Sequence, residues 1–112
     1  MLSFQRIDVY RRALEFLALV VDLTDGIPRG HAALLDQLRR AASSVPFNIA
    51  EAAGRTGEAD AARHFAIARG SAMECAVALD VGLLLKIVDE PRHTRGCELL
   101  ERVVGMLTKL CR

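Results

Sequence analysis

Apolar residues recur along this chain at intervals of three and four, and no stretch alternates with period two. That spacing predicts helices throughout. Three breaks interrupt it: Gly26-Ile27-Pro28-Arg29-Gly30, Gly54-Arg55-Thr56-Gly57 and Glu90-Pro91-Arg92. Glycine's freedom in φ and proline's missing donor stop helices at such points. Four helices are expected between the breaks: from about Asp8 to Asp25, about Arg29 to Ala53, about Glu58 to Val88, and about His93 to Cys111. Short connections between long helices make sequential neighbours antiparallel. The expected fold is therefore all-α, an antiparallel up-down-up-down four-helix bundle forming a single domain over residues 1–112.

The faces of these helices differ. At 100° per residue, Val9, Ala13, Phe16, Leu17, Val20 and Leu23 form the core stripe of the first, with Asp8 as its N-cap. Leu14 and Val21 lie beyond its edge. In the second, Leu34, Leu35, Leu38, Ala41, Ala42, Val45, Ile49 and Ala53 share one arc, while Arg40, Ser44, Phe47 and Glu51 point away. The periodicity stays in phase across Pro46, which predicts a kink and not a stop. The third helix has an apolar face of Ala61, Phe65, Ala68, Ala72, Cys75, Ala76, Leu79 and Leu83. It has a second, roughly opposite, of Ile67, Ala78, Val81 and Leu85. A helix apolar all round needs cover on every side, and in a domain this small only another subunit supplies the second cover. Leu14, Val21, Phe47, Ile67, Glu74 and Val81 are the candidate oligomer interface. Arg69, Glu74 and Asp80 sit among apolar neighbours and are expected to be paired, within the subunit or across that interface. The fourth helix turns Leu99, Leu100, Val103, Val104, Leu107, Leu110 and Cys111 inward and is otherwise solvated.

Composition supports assembly. Of the 112 residues 52% are hydrophobic, and mean hydropathy is +0.23. A chain this short buries only about two-thirds of its surface, so surplus apolar side chains belong in a subunit interface. A membrane span is not expected: Glu15 and Asp22 interrupt one apolar run, Asp80 and Lys86 the other. The first turn, with Gln5, Arg6 and Asp8, lacks a signal-peptide pattern, so a cytoplasmic location is expected. Formal net charge is only +1; nucleic-acid binding would need local clustering. Cys75, Cys97 and Cys111 form no CxxC pair and read as small apolar core residues. Glu90-x-x-His93 is half of a di-iron carboxylate pattern, present once and beside a proline. No metal site, cofactor or phosphate-binding loop is expected.

Three blocks carry a family resemblance. Gln37-Leu38-Arg39-Arg40-Ala41-Ala42-Ser43-Ser44-Val45-Pro46-Phe47-Asn48-Ile49-Ala50-Glu51 resembles the Q-[IL]-R-R-A-x-x-S-[IV]-P-x-N-I-A-E-G block of the four-helix bundle proteins of the 23S rRNA intervening-sequence type. Phe65-Ala66-Ile67-Ala68-Arg69-Gly70-Ser71-Ala72-Met73-Glu74 resembles that family's F-L-x-I-A-R-G-S-x-x-E block, and Phe4 to Ala13 its opening. Ala52 and Ala72 depart from the pattern, standing where Gly and Leu are usual. The resemblance implies an up-down-up-down bundle assembled as a homopentamer. It also implies kinship with the accessory protein of diversity-generating retroelements, a pentameric barrel that binds nucleic acid and a reverse transcriptase.

The basic positions Arg39, Arg40, Arg55, Arg63, His64 and Arg69 fall on the second half of helix two, the turn after it and the first half of helix three. An antiparallel hairpin brings those segments together at one end. Arginine suits bidentate phosphate contacts, and a ring multiplies a small cluster. Arg39, Arg40, Arg55, Arg63 and Arg69 are the candidate nucleic-acid-binding residues. The competing expectation is that Arg39, Arg69, Glu51 and Glu74 pair with one another to shape the assembly. No aromatic stacking platform accompanies the cluster. The Ser43 and Ser44 hydroxyls are expected to bond carbonyls one turn back and Asn48 to satisfy backbone or subunit contacts, and Glu51 and Glu74 lack a histidine on the same face for acid–base work. The expectation is a non-enzymatic, homo-oligomeric RNA- or DNA-binding scaffold. The rival is a protein-interaction adaptor docking a partner through Phe47, Leu14 and Val21.

Overall fold

Phe16, Val20, Leu38, Ile49, Leu79, Leu99 and Leu107, each no more than 2% exposed, form the centre of the molecule. They come from four helices at the spacing that places one side chain per turn on the inner face. The structure, a computed structural model, describes residues 1–27 and 29–112. Pro28, counted above among the breaks, lies outside the described residues. A 3-10 turn over Ser3–Arg6 leads into α1 (Asp8–Thr24), and a second, Arg29–His31, precedes α2 (Ala32–Ala53). α3 (Glu58–Leu84) and α4 (Glu90–Leu110) follow. Each helix packs on its two sequential or closing neighbours, and neither diagonal pair, α1 with α3 or α2 with α4, makes close backbone contact among the described residues. Contacts between neighbours run in opposite order along the chain: Ser44 meets Ser71 while Asn48 meets His64, and Asp80 meets His93 while Arg69 meets Thr108. The bundle is therefore antiparallel, 44 × 24 × 21 Å.

Several boundaries differ from expectation. Asp8 is the first residue of α1 and Ile7 holds the cap position without a side-chain bond; Asp8 acts instead as a first-turn anion, 3.6 Å from Arg12 Nε and favourable to the helix dipole. α2 starts three residues late because its first turn is 3-10. It runs unbroken through a buried Pro46 and ends its inner stripe on Ala52, 2% exposed, and not on Ala53. α4 starts early. Asp89 accepts the Arg92 N–H at 2.9 Å, and Pro91 stands in the first turn, where its missing donor costs nothing. Proline here opens a helix. At the far end, Leu110 is 41% exposed because α4 outruns the core.

The largest departure is the end of α3, which stops at Leu84 and not near Val88. Lys86 adopts φ +61°. Ile87 N–H reaches Gly82 O at 3.0 Å and Lys86 N–H reaches Leu83 O at 3.1 Å, the paired bonds of a Schellman termination. The chain then folds back so that Val88, 4% exposed, rests on Gly82. A Cβ at Gly82 would lie 2.5 Å from Val88 Cγ2. Gly82→Ala is therefore expected to destabilise by about 1–2 kcal/mol, crowding outweighing the better helix propensity; denaturant melts check this. Val88→Ala in the same chain should relieve part of it, as a coupled pair requires. Lys86→Gly removes a left-handed strain of roughly 1 kcal/mol. It should stabilise by about 0.5 kcal/mol once the extra freedom of the unfolded glycine is offset, seen as a raised urea midpoint.

Candidate nucleic-acid interface

A polar seam joins α2 to α3. Ser71 Oγ donates to Ser44 Oγ at 2.8 Å, and Asn48 Nδ2 donates to Ser44 Oγ at 3.0 Å and to Ser44 O at 2.9 Å. Asn48 Oδ1 meets His64 Nδ1 at 3.3 Å. Ser71 and His64 are each under a tenth exposed. Ser43 donates back to Arg39 O at 2.8 Å, as expected of a mid-helix hydroxyl. Ser44 does not: it is turned across the interface. Among the described residues no buried side-chain nitrogen or oxygen lacks a hydrogen-bond partner. The seam is a satisfied helix-to-helix fastening; His64 is buried in it and its Nε2 lies 3.4 Å from an Arg63 guanidinium nitrogen.

The arginines do not gather at one end. Arg39 Nε donates to Thr24 Oγ1 at 2.8 Å, and that buried hydroxyl donates to Val20 O. Arg39 thus closes the C-terminus of α1, where a cation opposes the helix dipole. Arg69 reaches the other way, to Thr108 Oγ1 on α4 at 3.4 Å. Within the subunit Arg39, Arg69, Glu51 and Glu74 make no ion pair with one another among the described residues: Glu51 pairs with Arg55 at 3.0 Å, and Glu74 makes no ion pair within 4 Å. The wheel placed these arginines on α2 and α3 correctly but could not say towards which neighbour each long side chain bends. Arg55 and Arg63 do meet at the α2–α3 turn, through Asp60, each at 3.5 Å. Arg40 makes no ion pair within 4 Å among the described residues; it lines a polar groove between α2 and α3 with Gln37, Ser44, Ser71 and Glu74. Arg39 is exposed too but bonds to α1; the other exposed arginines of α2, the turn and α3 are Arg40, Arg55 and Arg63. Ion pairs as exposed as those of Arg55 and Arg63 hold their partners weakly.

Around the groove lie uncovered apolar side chains. Phe47 is 73% exposed on α2. On α3, Ile67, Met73, Val77, Val81 and Leu84 are all exposed, Leu84 most at 82%. Ala78 is a correction: at 6% exposed it is buried within the subunit, because, seven residues after Ser71, it faces α2. Val77 and Leu84 take its place in the outward stripe. On α1, Leu14 and Val21 are exposed, with Ala18 between them. Since α1 and α3 stand diagonally across the bundle, these are two separate apolar faces. Glu74 sits at the groove, between Arg40's helix and the α3 stripe.

A constellation that spacing did not reveal joins α3 to α4. His93 Nε2 lies 2.8 Å from Asp80 Oδ1 and 3.6 Å from Cys97 Sγ. Burial, then the nearby Asp80 and Glu101 carboxylates, push the Cys97 thiol upward. The signal in the sequence was His93-x-x-x-Cys97, one helical turn; its third member comes from another helix. Cys75, fully buried, is pushed up to about 12 by burial and by Glu74, an inert core thiol.

The model of the 23S rRNA-intervening sequence proteins matches residues 5–109. The chain belongs to that family. The fold has a solved counterpart in a protein of unknown function from the S23 ribosomal protein family of Bacteroides thetaiotaomicron. That protein is 19% identical, with a TM-score of 0.82 over 93% of this chain and 98% of its own. No curated protein matches the chain. For this member of the intervening-sequence family, no described helix is long and apolar enough to cross a membrane.

Proposed function

We propose that this chain is a cytoplasmic, non-enzymatic scaffold that assembles head to tail into a closed ring, a pentamer, and holds structured RNA against its α2–α3 face. The observation carrying the assembly is the pair of diagonal apolar faces, Leu14 with Val21 and Val77 with Val81. One self-complementary patch makes a two-fold dimer, whereas two different patches that fit each other make a head-to-tail contact, which forms a ring where the rotation between subunits closes and an open filament where it does not. The rings would repeat Arg40, Arg55 and Arg63 in every subunit, and repetition offsets a net charge of only +1 per chain. The family's description as 23S rRNA-intervening sequence proteins favours RNA as the nucleic acid.

Titration of a structured RNA into the full chain at two salt concentrations tests the reading. Binding should weaken steeply with salt, because phosphate contacts release counterions. Absence of binding, or binding indifferent to salt, contradicts it. The adaptor reading rests on Phe47, which at 73% exposed belongs to neither diagonal face. It predicts that Phe47→Asp leaves the particle mass unchanged and abolishes capture of a protein partner.

A further inference from the structure

The geometry points to a zinc-class divalent metal site held by Asp80 of α3 and by His93 and Cys97 of α4. The three donor atoms lie within 4.8 Å of one another. Tetrahedral zinc, with bonds near 2.0 Å to N and O and 2.3 Å to S, sets nitrogen and oxygen donors about 3.3 Å apart and sulfur and nitrogen about 3.6 Å apart. The observed edges are 2.8 Å for Asp80 to His93 and 3.6 Å for His93 to Cys97. Cys97 Sγ lies 3.6 Å from His93 Nε2 and 3.9 Å from Nδ1, over the ring and off the Nε2 lone pair. A turn of the imidazole, with an outward adjustment of the exposed Asp80 side chain by about half an ångström, brings the three donors to that geometry. The backbone sets the three side chains within reach of one another. His93 and Cys97 are one turn apart on α4, and the Schellman turn with the Asp89 cap sets the start of that helix against the end of α3.

The donor set selects the metal. One thiolate, one imidazole and one carboxylate suit zinc; calcium and magnesium take oxygen alone, and an iron–sulfur cluster takes four thiolates. Zinc binding replaces the Cys97 thiol proton with a sulfur–metal bond, so the proton leaves to solvent and no oxidant is involved. Three protein ligands leave a fourth position. Asp80 and Cys97 also line a groove of about 310 Å³ between α3 and α4, where Glu101 stands one turn beyond Cys97 and the other walls include Met73, Ala76, Leu100 and Val104. Either the Glu101 carboxylate or a small ligand seated in that apolar groove completes the shell.

The test uses the full, reduced protein and cobalt(II), whose colour reports both coordination number and thiolate ligation, with zinc as competitor. The expected result is one cobalt per chain, an intense tetrahedral spectrum with a thiolate charge-transfer band, and displacement by one equivalent of zinc. Cys97→Ser should lose that band and Cys111→Ser should keep it. Asp80→Asn, at an exposed position that leaves folding intact, should weaken binding by about tenfold or more and reduce the rise in melting temperature that zinc gives the parent chain. Two results overturn the proposal: a cobalt spectrum that stays that of the hydrated ion, or a thiolate band that survives in Cys97→Ser. The first would leave Asp80 and His93 as a plain hydrogen-bonded tie between helices.

Discussion

Val81→Asp and Val21→Asp are each expected to turn the proposed ring into dispersed single chains. An equimolar mixture of the two should recover a two-chain particle and nothing larger. The reasoning follows from the two faces. In a head-to-tail ring the α3 stripe of one subunit covers the α1 stripe of the next. A carboxylate trapped there without a partner costs about 3–5 kcal/mol, which weakens each contact by about two to three and a half decades. Val81 and Val21 are 38% and 55% exposed in the isolated chain, so neither change touches the core and helical circular dichroism should not alter. A Val81→Asp chain keeps its α1 face and a Val21→Asp chain keeps its α3 face. Those two surviving faces fit each other once, and the chain of contacts then ends. An interface built from the α3 stripe alone would leave Val21→Asp fully assembled and the mixture without a heterodimer. Analytical ultracentrifugation of the two variants, separately and mixed, distinguishes the outcomes.

The second large effect concerns RNA. Replacing Arg40, Arg55 and Arg63 together by alanine should lower the magnitude of the log–log salt slope by about 2–3 for each subunit engaged, given 0.7–0.9 per phosphate contact. At moderate salt the affinity should fall by about a hundredfold or more. Arg39 and Arg69 provide the contrast, because they serve the bundle. Arg39→Ala strips the α1 C-terminus of its cation and a bond to Thr24. It should cost about 1 kcal/mol of stability and leave the salt slope unchanged. An Arg39→Ala protein that loses RNA as fully as the triple variant would place Arg39, exposed but bonded to Thr24, among the phosphate-binding arginines. Filter binding across a salt series, beside denaturant melts of the same proteins, supplies both readings.

Much of this arrangement was legible in the one-dimensional pattern, and what was not has physical reasons. The core stripes of α1 and α2 follow from periodicity alone, since Val9, Phe16, Leu38 and Ile49 each fall on the inner arc. Exposure of Leu14, Val21 and Phe47 followed from the same wheel. The end of α3 did not. Leu85, Ile87 and Val88 continue an apolar run, and the stop depends on Lys86 accepting a left-handed backbone so that Val88 can reach Gly82, a tertiary contact. Ala78 was misassigned because an alanine at the border of two arcs is placed by the neighbouring helix. The arginines were located on their helices, yet a long flexible side chain chooses among neighbours only once these are in position: Arg39 took α1 and Arg69 took α4. The Asp80–His93–Cys97 cluster was hidden for a related reason, as one of its members lies on a different helix.

The mass of the full chain in dilute solution bears on all of this most directly. The uncovered stripes on α1 and α3 require light scattering at micromolar concentration to return a multiple of the 12.2 kDa chain mass, five for the proposed ring. A stable, monodisperse particle of a single chain would contradict the account.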